Sequence, residues 1–230
     1  MRFAAAIIAG CCCVLGLAQA QDRGKPPDGV VERLLRNSAT LPEDLKLSDT
    51  ERARIVEELK VAEREASNQA ARIHYLLAAL GEDRENNIRW FQWTLQDCGH
   101  GIQCDEEVAG FAIDLYDRGA VQLLADLLAM SRNSDGALSA ALGDFYWQAM
   151  RRSPLLVLTR LRPLVPRDQR NVCTLAAGGD GGGQVPEERE KVMRLLRDQL
   201  RSHPELSQVG KMCLAAIKSQ PEASPHTPQQ

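Results

Sequence analysis

Beyond its first twenty residues, the chain contains no apolar run approaching 18 residues, so nothing there is long enough to cross a bilayer as a helix. It has no excess of positive charge. Lys and Arg total 28 against 31 Asp and Glu, a net of −3 at pH 7. That balance argues against a nucleic-acid binder, which would show a basic excess or stripe. It also removes any general attraction to anionic membranes. Strand-type alternation with β-branched residues is nearly absent, which points away from a sheet. No zincin H-E-x-x-H and no G-x-S-x-G nucleophile elbow is present. No two cysteines are separated by two residues, as a thioredoxin-like redox pair would need. The glycine run Gly178–Gly183 lacks the Lys-Ser/Thr of a phosphate loop, and the next helix opens with Glu187-Glu188, which would repel an anion. It reads as a flexible connector.

What is present begins at the N-terminus. Arg2 precedes a mostly apolar, uncharged run from Ala4 to Leu17, followed by Ala18-Gln19-Ala20. This pattern predicts an export signal over residues 1–20. Its removal would take away only Arg2 among charged residues, leaving 210 residues and a net charge of −4. The alternative is a lipid anchor: Ile8-Ala9-Gly10-Cys11 resembles a bacterial lipobox, with Cys11 as the lipidated residue. Residues 21–29 read as a polar leader and 220–230, with three prolines, as a disordered tail. Residues 30–219 are expected as one all-helical domain, large enough to bury a core without metals.

The strongest helical signal starts at the capping-box pair Ser48 and Glu51. Apolar residues recur at Ile55, Leu59, Ala62, Ala66, Ala70, Ile73, Leu77 and Leu80, closing at Gly81. The pattern predicts a long N-terminal helix, with Ser67-Asn68 as the place where it would break. Shorter helices are expected over 83–96, 105–118, 120–131, 133–152, 154–162, 166–177, 186–202 and 204–219. Ser153 is expected to cap the helix that begins at Pro154.

Four cysteines survive the signal: Cys98, Cys104, Cys173 and Cys213. In an oxidising compartment they suggest two bridges, with three pairings open and Cys98–Cys104 plus Cys173–Cys213 favoured. Chain entropy gives the short loop ~2.4 kcal/mol and the long one ~4 kcal/mol. Zinc at Cys98, His100 and Cys104, with Asp97 or Asp105, is the competing use, but the spacing matches no standard tetrahedral pattern. No cofactor is expected.

Ile88, Phe91 and Leu95 share one helical face, and Trp90 and Trp93 lie roughly opposite. Such a helix is either buried between layers or presents its tryptophans to a partner. The helix pairs 105–118/120–131 and 134–152/154–162 repeat after about 30 residues. With Asp117-Arg118-Gly119 before a Leu-rich helix, this stretch resembles HEAT- or armadillo-type helical repeats over residues 105–162. The resemblance implies a helical-hairpin stack, an α-solenoid-like arrangement, that binds protein on one face; it carries over no site residues. An irregular helical bundle stays open as the alternative.

The resulting expectation is an exported, non-catalytic helical domain that binds another protein or serves as a scaffold, with no nucleic-acid partner. Two alternatives are retained. One is an envelope hydrolase with acidic residues in a cleft near His100. The other is a self-assembling structural protein using the 48–80 stripe.

Overall fold

The computed structural model describes residues 29–36, 40–42, 45–65, 67–99, 105–134, 136–178 and 185–220. The expected signal (1–20) with Cys11, most of the leader, His100, Cys104, the glycine run from Gly179, and the tail from Pro221 lie outside the described residues. The chain divides into two units, residues 1–38 and 39–230. The first is described through one helix, α1 (Val30–Arg36), with an Arg36–Glu32 ion pair on successive turns.

The second unit holds α2 (Asp49–Glu65), α3 (Ala70–Leu80), α4 (Arg84–Gly99), α5 (Glu106–Asp117), α6 (Leu124–Ala129), α7 (Gly136–Arg152), α8 (Pro154–Leu161), α9 (Pro166–Gly178), α10 (Pro186–Ser202) and α11 (Ser207–Ser219). No strand occurs among the described residues. The fold is an all-α helical bundle. Helices α3, α5, α7, α9 and α11 touch in succession, and so do α4, α6, α8 and α10.

Local signals set several boundaries. At α2, the Ser48 amide donates to Glu51 Oε2 at 2.9 Å and the Glu51 amide donates back to Ser48 Oγ at 3.3 Å. The Ser48 hydroxyl also donates to Glu51 Oε2, at 2.6 Å, and this bond first, then the one from the Ser48 amide, holds the Glu51 carboxyl below its ordinary range. Pro154, Pro166 and Pro186 each open a helix, where their missing N–H costs nothing. Ser153 does not cap α8 through its side chain; its amide donates to Ala149 O at 2.8 Å, closing α7 instead.

The long helix expected from Ser48 to Leu80 is two helices joined by a 3-10 turn at Ser67–Gln69. They run antiparallel, with Lys60 at 2.7 Å from Glu82 and Glu63 at 3.8 Å from His74. The physical reason is a stretch from Ala62 to Ala71 with no large apolar residue. A straight helix there would have had little to bury, whereas folding back puts Ile55, Val56 and Leu59 in the core with Ile73, Leu76 and Leu77. The helix expected over 120–131 is α6 flanked by 3-10 turns at Val121–Leu123 and Met130–Arg132. Leu123, Leu124, Leu127 and Leu128 are all buried.

Aromatic side chains join α3, α5 and α7 in succession and link α7 to α6. Tyr75 of α3 stacks on Phe111 of α5, centroids 4.4 Å apart, and Tyr116 of α5 meets Phe145 of α7 edge-on at 5.2 Å. The Tyr146 hydroxyl of α7 donates to Leu127 O of α6 at 2.6 Å. A polar knot fastens the segment before α2. The Tyr75 hydroxyl accepts from the Leu41 amide at 2.6 Å and donates to Asp114 at 2.9 Å. Arg118 donates to Asp114 at 2.5 Å and also to Leu41 O. Farther along, Cys173 of α9 and Cys213 of α11 form a disulfide with Cα atoms 4.7 Å apart. At Gly210 the backbone of α11 comes so close to α10 that an added Cβ would meet Leu200 at 2.3 Å.

Burial raises the phenol of every tyrosine in the chain: Tyr75 to about 12, Tyr116 upward, and fully buried Tyr146 upward more strongly. The unfolded chain releases these protons near pH 10, before the folded one does, so stability falls as pH rises above about 10. Phenolate absorbance should therefore stay low in native protein at pH 10.5 and appear together with unfolding. Three tyrosines titrating near their ordinary value in a still-folded protein would contradict this packing.

Candidate functional site

The aromatic helix α4 is positioned by the turn before it. Gly81 adopts a left-handed conformation (φ 84°), and the amides of Gly81 and Glu82 close on Ala78 O and Leu77 O. This double bond pattern ends α3 and reverses the chain. Asp83, with φ 37°, then accepts two hydrogen bonds from the Asn86 side chain at 2.9 Å each. Helix α4 leaves this turn with Ile88, Phe91, Leu95 and Cys98 buried.

Trp90 and Trp93 differ in environment. Trp90 is half-buried and stacks on the His74 ring of α3, centroids 4.6 Å apart at 23°. It also meets Phe91 edge-on at 5.1 Å. Trp93, one turn on, is 61% exposed, the highest value among the exposed large apolar side chains described. The helix is thus buried on one face, and its second aromatic face is covered at Trp90 and open at Trp93.

The base of this face is polar and well ordered. The Asn87 amide donates to Glu82 O at 2.9 Å and Asp83 O at 3.1 Å. Its oxygen is therefore turned to His74 Nδ1, 2.7 Å away. That arrangement makes Nδ1 the protonated nitrogen and leaves Nε2 facing Glu63 at 3.8 Å. His74 and Asn87 thus hold the ring on which Trp90 rests. Neither carries a sequence signature, because they lie thirteen residues apart and meet only once the chain has reversed between α3 and α4. On the other flank Gln96 donates to Asp126 of α6 at 3.1 Å. Burial pushes the Asp126 carboxyl up, against the lowering effect of its bonds to Gln96 and Gln92.

The cysteines lie apart from this face in role. Cys98 is buried near the end of α4 and is disulfide-bonded; Cys104, its expected partner, lies outside the described residues. The Asn133 side chain donates to Cys98 O at 2.8 Å, fixing the end of α4. Asp105, considered as a zinc ligand, accepts from the Glu107 amide at 2.9 Å and caps α5. Asp97 is exposed. Among the described residues no group of three or more His, Cys, Asp or Glu side chains could hold a metal. No described helix is long and apolar enough to cross a membrane.

A groove of about 480 Å³ runs between α2 and the end of α3, lined in part by Val56, Glu57, Lys60, Leu80 and Glu82. Two of its carboxylates, Glu57 and Glu82, flank Lys60. Lys60 donates to Glu57 at 3.2 Å and stands 2.7 Å from Glu82, and these bonds raise its own pKa, Glu82 contributing most. A proton-sharing carboxylate pair needs two acids without a cation between them.

No protein-family model, curated protein or solved structure matches the chain.

The tryptophans provide a direct check, since the chain has three and Trp147 is fully buried in α7. Trp93→Phe should remove most of the emission that acrylamide quenches readily, and Trp147→Phe should remove none of it. Equal quenching in the wild type and Trp93→Phe would contradict the exposure of Trp93.

Proposed function

We propose that the chain is an exported, non-catalytic helical domain that binds another protein through the Trp90–Trp93 face of α4. The exposure of Trp93 carries this reading. A tryptophan left 61% in water, beside a second one held on the ordered His74–Asn87 base, loses a large apolar surface to solvent that a partner would cover. The rigidity of the base supports it, because a preorganised anchor has little ordering entropy left to lose on binding. Export is supported by the Cys173–Cys213 disulfide, which suits an oxidising compartment. The succession of contacts along the two helix rows favours the helical-hairpin stack over an irregular bundle, and such a stack offers elongated faces.

The hydrolase alternative has less to rest on, since the groove carboxylates share Lys60. Self-assembly through the 48–80 stripe also loses ground: Ile55, Val56, Leu59 and Ile73 are used inside the chain.

The test uses the mature protein as bait in its native compartment, with a photocrosslinker at Arg89 beside the face. A partner captured by the wild type should be lost with Trp93→Ala, affinity dropping by roughly 30-fold, the scale of an aromatic hot spot. The Tm should stay within about 2 °C, because an exposed side chain contributes little to folding. Capture unaffected by Trp93→Ala, or no capture at all, would refute the proposal. Intact mass of the exported chain decides the anchor: cleavage after Ala20 fits the soluble form, and a diacylated Cys11 the lipoprotein.

A further inference from the structure

A second surface lies at the corner between α8 and α9, and its chemistry differs from the aromatic face. Between Asp144 and Glu187 the sequence has six arginines and two acids, Asp168 and Asp180. Arg151 is 3.4 Å from Glu188 and Arg152 is 2.5 Å from Asp117. The remaining four, Arg160, Arg162, Arg167 and Arg170, are exposed. None of them makes an ion pair or a side-chain hydrogen bond with a described residue. The acid among them in sequence does not neutralise them: Asp168 is 2% exposed and spends its charge on Arg132 of the preceding 3-10 turn, 2.5 Å away.

The corner is braced from below. Pro163 and Pro166 restrict the backbone on either side of Val165. The Leu164 amide donates to Leu161 O, and the Asp168 amide to Val165 O, each at 2.9 Å. Buried Gln169 reaches under the turn, its amide group donating to Leu161 O at 3.3 Å, Arg162 O at 3.1 Å and Leu164 O at 2.8 Å. Arg162 thus stands on a turn whose backbone is already ordered, with Arg160 on the last turn of α8 and Arg167 and Arg170 on the first turns of α9. Val165, 53% exposed, lies between the two pairs along the chain.

We infer that the α8–α9 corner is a docking site for a short acidic segment of a protein partner, whose carboxylates are taken by Arg160, Arg162, Arg167 and Arg170. The charge is complementary, and no described acid is paired with these four arginines. All four cations are arginines, whose planar fork matches a carboxylate with two hydrogen bonds, where membrane-surface attraction would be served equally by lysine. The four arginines belong to a chain whose net charge is −3. An extended anionic surface would meet the acidic remainder as well, whereas a peptide in contact senses charges within about 8–10 Å at physiological salt. Exposed Val165 adds an apolar contact for one side chain of the segment. This site is independent of the Trp90–Trp93 face.

The probe is a fluorescein-labelled peptide of glutamates around a central leucine, titrated with the full chain and read by fluorescence anisotropy. Binding should weaken roughly tenfold or more when Arg160, Arg162, Arg167 and Arg170 are all changed to Gln, and should weaken with added salt. The all-Lys variant should recover only part of the affinity, since it restores charge without the fork. Changing Arg194, Arg197 and Arg201 of α10 to Gln should leave binding within about twofold. Circular dichroism and Tm of each variant report folding, which these exposed positions should not disturb. Phosphatidylglycerol vesicles and a single-stranded oligonucleotide are the competing probes. Tighter binding of either to the same arginines, an unchanged peptide affinity in the Gln variant, or no peptide binding at low salt would overturn the inference.

Discussion

Helix α9 is the constraint on which the second half of the molecule depends. It is thirteen residues long, and α7 packs on it from one side and α11 from another. A helix in that position needs small side chains where backbones approach, and α9 supplies Cys173, Ala176 and Ala177, all buried. The Cys173–Cys213 bond then fixes α11 against it. The other end of α9 is tied by Asp168 to Arg132 and by Gln169 to the turn from α8. By chain entropy alone, a bond closing about 40 residues contributes about 4 kcal/mol, a large share of the roughly 5–15 kcal/mol that holds a domain folded.

The first half is held differently, by aromatic stacking and a polar knot. Tyr75 stacks on Phe111 and shares its hydroxyl between Leu41 and Asp114, while Arg118 closes the ring back to Leu41. That knot turns an irregular segment into part of the core. It also gives α3 a fixed position, and α3 supplies the His74 ring under Trp90. The candidate face therefore inherits its order from contacts buried beneath it.

Much of the helical content was legible from local patterns. Proline at the first helical position marks α8, α9 and α10, and the Ser48–Glu51 pair marks α2. These signals act over three or four residues, the range at which a sequence speaks most directly. Periodicity joined α2 to α3 because alanines continued the stripe; it could not weigh how little those alanines would bury. The interactions that close the fold span 34 to 77 residues, as at Leu41–Tyr75, Arg132–Asp168 and Leu41–Arg118, and no local pattern announces them. The same holds for the sites. Helical spacing put Trp90 and Trp93 opposite Phe91, but only the fold leaves one stacked on His74 and the other in solvent. The arginine corner was hidden by a near-zero charge total, since its existence depends on Asp168 pointing inward.

The most direct measurement of the role given to α9 is amide hydrogen exchange on the wild type and on the Cys173→Ala/Cys213→Ala variant, alongside its unfolding free energy. Loss of about 4 kcal/mol, with protection falling first in α9, α10 and α11 while α3 and α4 keep theirs, is the predicted result. A variant that loses under about 1 kcal/mol, or whose protection falls evenly across all helices, would contradict the account.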